Sequence, residues 1–134
     1  MPTTFAAFTQ ALQALDVAGV VKRLDYIPAS ISDLPCQWVQ MPESTEGLMT
    51  FEGTGGWPEL RAQVIIAVEA VAQGQPLSNW NATITMIDSM ATALRAVAAG
   101  TLAKTKPVFR LRMVTVTVAG NDYYAVEATV TVNG

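Results

Sequence analysis

Between Trp80 and Val132 the sequence passes through a helical stripe, a glycine and two β-rich stretches about a short turn, a series that few folds accommodate. Starting at Trp80, the apolar residues Ile84, Ile87, Ala91, Leu94 and Ala98 recur at alternating intervals of four and three, which predicts a helix of about five turns with that stripe inward. Gly100 is expected to stop it, because glycine adopts the left-handed cap conformation without steric cost. Residues 108–118 and 123–132 are rich in Val, Thr, Tyr and Phe and flank Ala119-Gly120-Asn121-Asp122, so they read as a C-terminal antiparallel hairpin. A helix lying on a hairpin is a scaffold, and no reaction centre stands out in it.

Upstream, Thr3 or Thr4 caps a first helix whose apolar face is Phe5, Phe8, Leu12 and Leu15. Gly19 is expected to end it, with Val20, Val21 and Leu24 carrying it one turn further or forming a short strand. Pro28, Pro35 and Pro42 forbid a long helix over residues 26–42 and predict an irregular crossing followed by a strand from Cys36 to Met41. From Glu43 to Pro58 the composition shifts to Glu, Ser, Thr and Gly, with Gly53, Gly55 and Gly56 close together, which reads as a mobile loop or hairpin tip. Met49, Phe51 and Trp57 sit within it. Large apolar residues on a polar segment are either folded back on the core, the reading for Phe51 taken singly, or held out for a partner, the reading for the loop as a whole.

A long strand is expected from Leu60 to Val71, with Leu60, Ala62, Val64, Ile66 and Val68 on one face and Arg61, Gln63 and Glu69 on the other. Ile65 and Ala67 also fall on the second face, so the middle of this strand is expected to be covered on both sides. Gln73 to Pro76 then turns into the second helix, with Ser78 as its cap. In the hairpin, Val126, Ala128, Val130 and Val132 share a face with Tyr124, opposite Tyr123, Glu127, Thr129 and Thr131. The strand before it is apolar on opposite faces in its two halves, Phe109 and Leu111 against Val114, Val116 and Val118. That predicts a bulge near Met113 or a protein contact on the second face.

At 134 residues the chain has the size of one domain, 1–134. Its 51% hydrophobic and 14% charged composition is apolar for a globular chain of this length, and burial in a subunit interface is the economical explanation. The net charge of -3 argues against nucleic acid as the main partner. No basic leader is visible near the N-terminus, and the most apolar run, Val64 to Ala72, is interrupted by Glu69. The chain is therefore expected to be soluble, without a signal peptide or membrane span.

The absence of histidine removes the usual general base, the usual zinc ligand and any Ser-His or Cys-His nucleophile. Cys36, the single cysteine, permits no intrachain disulfide and no thiolate cluster, so folding in a reducing compartment is expected, and beside Trp38 it reads as a small buried hydrophobe. Acidic residues are scattered singly, and Gly53-Thr54-Gly55-Gly56 lacks the Gly-Lys-Ser/Thr of a phosphate loop. No catalytic, cofactor-binding or metal-ligating residue is assigned. Lys104, Lys106, Arg110 and Arg112 form one cluster of like charge, and strand alternation puts both arginines on one face. That cluster reads as a solvated face or as a salt-bridging contact with an acidic neighbour, a copy of this chain included, with a transient contact to nucleic-acid phosphate the minor option on an acidic chain.

The order of elements is similar to that of the tail terminator and tail-completion proteins of long-tailed, siphovirus-like bacteriophages. The residues that carry the resemblance are the opening helix Phe5 to Leu15, the segment Ile27-Pro28-Ala29-Ser30-Ile31 with Leu34-Pro35-Cys36, the strand Arg61 to Glu69 after a glycine-rich loop, and the closing hairpin. The resemblance implies a small α+β subunit with a mixed or largely antiparallel sheet of four to five strands and two helices packed on one face. It also implies a homo-oligomer, a six-membered ring that caps the tail tube, ends its polymerisation and offers the docking surface for the head connector. Its partners are then the tail tube protein and a head-tail connector or head-closure protein, with DNA at most passing through the lumen. It needs no cofactor and no enzymatic turnover, and it works in the virion after assembly in the host cytoplasm. The candidate interface residues are Met49, Phe51, Trp57, Arg110 and Arg112. The alternatives are a neighbouring virion part, such as a head-closure or tail-tube subunit, and a small-ligand domain with a pocket near Trp38, Trp57 and Trp80.

Overall fold

Alternating apolar residues over eleven positions make residues 60–70 the central strand, and the other elements pack around it. The structure, a computed structural model, describes residues 4–41, 53, 59–71, 76–100, 102 and 106–132, with the side chains of 76–79 left aside. In chain order these form α1 (Phe5–Gln13), β1 (Lys22–Arg23), β2 (Cys36–Gln40), β3 (Leu60–Ala70), α2 (Pro76–Ala99), β4 (Val108–Val118) and β5 (Asn121–Val132). The architecture is α+β: one mixed five-stranded sheet in the order β1-β2-β3-β5-β4, with a C-terminal hairpin. Among the described residues only the β1-β2 pair is parallel. Because β5 pairs with both β3 and β4, it separates two strands that run in the same direction and are joined through α2.

Both helices cover the same face of the sheet. Phe8, Leu12 and Leu15 from the α1 region and Met86, Met90 and Leu94 from α2 meet Leu60, Ala62, Val64 and Ile66 of β3 and the even-numbered residues of β5 from Val126 to Val132. All of these are almost fully buried. The opposite face carries a second, smaller cluster of Cys36, Trp38, Ile65, Ala67, Tyr123 and Ala125, covered by Leu24, Ile31 and Leu34 from the β1-β2 connection. The middle of β3 is thus enclosed on both sides, as its sequence predicts.

Thr4 caps α1, its hydroxyl accepting the Ala7 amide at 3.1 Å. The helix stops at Gln13, six residues before Gly19, which is a correction to the expected end. Within its last turn the carbonyls of Gln10 and Leu12 accept from the Ala14 and Leu15 amides, and the carbonyls just past the helix take side-chain donors. Arg23 Nη1 donates to the carbonyls of Ala14 and Leu15 at 3.3 and 3.1 Å, and the buried Gln37 donates to Leu15 at 3.0 Å. Gly19 instead turns the chain into β1 with φ +90°.

The second helix starts at Pro76, a residue suited to a first helical position because its missing N–H would have no partner there. Ser78 lies inside the helix and is not its cap. The buried face is rotated by one residue from the expected stripe. Thr83, Met86, Met90 and Ala93 point inward, and of the predicted set Leu94 alone is fully buried while Ile84 and Trp80 face outward. Two adjacent apolar stripes compete on this helix, and the unbranched methionines fill the irregular space between helix and sheet. Gly100 does follow the last helical residue, but not in a left-handed conformation. A Cβ there would lie 3.3 Å from the Ala96 carbonyl oxygen, so close approach accounts for the glycine.

The hairpin closes through a two-residue turn, Ala119-Gly120, with φ of +52° and +80°. Positive φ at both central residues matches the twist of the flanking strands. The β4-β5 register runs without interruption from Val108↔Thr131 to Val118↔Asn121, so the bulge expected near Met113 is absent. The irregularity lies in β3, between Ala67 and Glu69. The switch of apolar face along β4 needs no bulge, because Phe109 and Leu111 pack towards the helices while Val114 and Val116 pack on the second cluster.

Candidate functional site: a charged groove on the helix-free face

Strand alternation and register together build this site. On the helix-free face, Arg112 stands opposite Glu127, and Arg110 opposite Thr129. Across β5, Thr129 stands opposite Gln63, and Thr131 opposite Arg61. The result is an open groove of about 480 Å³ with Glu59 and Arg61 on one side, Arg110 and Arg112 on the other, and Glu127, Thr129 and Thr131 in its floor.

Its inner end is fixed by hydrogen bonds that cross four strands. Trp38 Nε1 donates to Gln40 Oε1 at 2.8 Å, and the Gln40 amide donates to Gln63 Oε1 at 3.3 Å. The Gln63 amide then donates to Glu127 Oε1 at 3.1 Å, the same oxygen that accepts from Arg112 Nε at 3.0 Å. Glu127 is 9% exposed, and a carboxylate so far from water is tolerable only when paired and hydrogen-bonded. Arg112, by contrast, keeps most of its side chain in solvent, so the network holds an arginine in place at the groove's rim. At the other side Arg61 Nη2 lies 2.8 Å from Glu59 Oε1, while Arg61 Nε is buried without a hydrogen-bond partner among the described residues.

Of the residues singled out from sequence, Arg110 and Arg112 lie together on β4, the edge strand, with both side chains on this face. Lys106 precedes the strand and is exposed. Met49, Phe51, Trp57 and Lys104 lie outside the described residues. Arg61, Gln63 and Glu127 escaped notice as site residues because each is a single polar residue in an apolar strand, and only the register brings them together. Trp38 and Trp80 do not share a pocket: Trp38 is buried on the helix-free face, and Trp80 is exposed on α2 across the sheet.

Cys36 is buried, and burial pushes its thiol up, with Lys22 pulling down and Asp33 adding to the rise. A thiol held protonated is a poor nucleophile. Among the described residues no three His, Cys, Asp or Glu side chains come together as a metal site, and no helix is long and apolar enough to cross a membrane. What the arrangement offers chemically is recognition of negative charge by arginines, two of which, Arg61 and Arg112, are held by ion pairs. No known family profile and no curated protein matches the chain.

Proposed function

We propose that this chain is a structural subunit of a phage tail or neck, forming a ring that caps the tail tube, ends tube growth and presents the docking surface for the head connector. The observation that carries the reading is the edge strand β4. It is eleven residues long, is paired on one side only among the described residues, and holds Arg110, Arg112 and the exposed Val108 and Met113 at the surface. An edge of that length offers backbone donors and acceptors to another chain, and apolar residues mixed with arginine are the composition of protein interfaces. Trp80, Tyr26 and Ile27 add further exposed apolar area. The α+β fold with two helices on one face is also the one that the sequence resemblance implies. The subunit works through contacts, without turnover, and its neighbours are copies of itself, the tube protein and a connector protein.

Light scattering over a range of concentrations, with negative-stain microscopy of the same sample, tests this. Closed rings that stop tube-protein polymerisation when added in trace amounts are the expected result. A strict monomer at every concentration, with no effect on tube length, rejects the reading.

A further inference from the structure

We infer that the outward face of α2 packs antiparallel against the same face of a second copy of this chain, about a two-fold axis beside Ala91. The contact goes beyond the ring reading and does not rest on it, because it uses the helix layer and not the edge of the sheet.

The helix carries two adjacent apolar stripes, and the core takes one of them. Met86, Met90 and Ala93 are buried against the sheet, whereas Trp80 is 54% exposed, Ile84 is exposed and Ala91 is half-buried. From Trp80 through Ile84 and Ile87 to Ala91 the spacing alternates between four and three, the repeat of a seam between two helices. A stripe left half outside its own core fits a second helix.

The pattern along the helix names that partner. Asp88 and Arg95 are the two charged residues of α2, both exposed, and neither side chain is paired among the described residues. Seven positions put them on one side of the helix but roughly 10 Å apart along it, too far to pair with each other. With the axis between Ala91 and Thr92, an antiparallel second copy brings its own arginine level with Asp88 and its own aspartate level with Arg95. A parallel pairing sets like charges opposite each other. Size agrees with charge: Trp80, Ile84 and Ile87 fill the first half of the stripe, and Ala91, Ala98 and Ala99 follow in the second. Antiparallel packing lays each bulky half over a small one, and alanine at the crossing lets the two backbones approach. The surface is thus its own complement, as a two-fold contact requires.

Charge exchange on the full chain tests this, with Asp88→Arg and Arg95→Asp made singly and together. Both positions are exposed, and circular dichroism establishes that each variant folds. In sedimentation velocity each single variant is expected to associate about tenfold more weakly than the parent chain, since two attractive pairs become two repulsive ones. The double variant, and an equimolar mixture of the two single variants, are both expected to recover association, because each arrangement restores opposite charges at both ends of the contact. A double variant and a mixture that stay weak overturn the two-fold packing and assign this face to an unlike surface. A ring that persists in the single variants at unchanged mass overturns the contact and leaves the ring reading standing. A parent chain that stays monomeric at every concentration overturns both.

Discussion

Arg112 Nε lies 3.0 Å from Glu127 Oε1, directly across the β4-β5 ladder, and the Gln63 amide reaches the same oxygen from the other side at 3.1 Å. Glu127 is thereby held between an exposed cation and a buried amide, and the edge strand is tied to the centre of the sheet through side chains as well as backbone.

Removing the cation tests that tie. Arg112→Ala leaves a nearly buried carboxylate with one neutral donor, and we expect it to lower stability by roughly 1–3 kcal/mol in urea unfolding. The exposure of the guanidinium keeps the figure below that of a fully buried pair. Adding Glu127→Gln to Arg112→Ala removes the uncompensated charge and should recover part of the loss. A double variant that is less stable than Arg112→Ala alone would show that Glu127 is not held by this pair.

The orientation of α2 is open to a paired comparison. Met90 is fully buried and Ile84 is 39% exposed. Met90→Ala is expected to cost about 2–5 kcal/mol through lost burial and a cavity, and Ile84→Ala less than about 1 kcal/mol. The reverse order would restore the stripe that the sequence suggests.

Ala119 holds a positive φ that alanine tolerates poorly. Asparagine accepts that conformation more readily and adds little unfolded-state entropy, so Ala119→Asn is expected to stabilise by about 0.5–1 kcal/mol. An unchanged or lowered melting temperature would argue against this turn geometry.

Cys36 gives a pH signature. Its thiol is raised in the folded chain, so as pH climbs through the ordinary thiol value of about 8.5 the unfolded chain loses its proton first. The unfolded state then binds fewer protons than the folded one, and stability falls with rising pH until the folded thiol also ionises. Unfolding measured from pH 7.5 upward should show a decline that Cys36→Ala lacks. Equal pH slopes for the two chains would remove the thiol as the cause.

Period-two alternation made most of the sheet legible from sequence. Strands 36–40, 60–70 and 108–132 fall within a residue or two of their expected limits, and Ile65 and Ala67 mark the second covered face. What the pattern could not carry was choice between equivalents. On α2 two neighbouring stripes are apolar, and only contact with the sheet decides that Met86 and Met90 go inward and Ile84 does not. At the end of α1, Gly19 is a plausible stop by local rules, yet Arg23 and Gln37 reach back from β1 and β2 to the carbonyls of Ala14 and Leu15, just past Gln13. The groove follows the same logic. The paired arginines are visible as spacing along one strand, whereas Arg61, Gln63 and Glu127 join them through a register over three strands, which no single stretch encodes.

The strand order has a consequence for how the molecule is made. β5 follows both β3 and β4 in the sequence, yet it occupies the seat between them. Until it arrives, the growing polypeptide holds two long apolar ribbons with no shared neighbour, and both stay open to mispairing. The twelve residues of β5 act as a keystone, since among the described residues they alone join the two ribbons into one sheet.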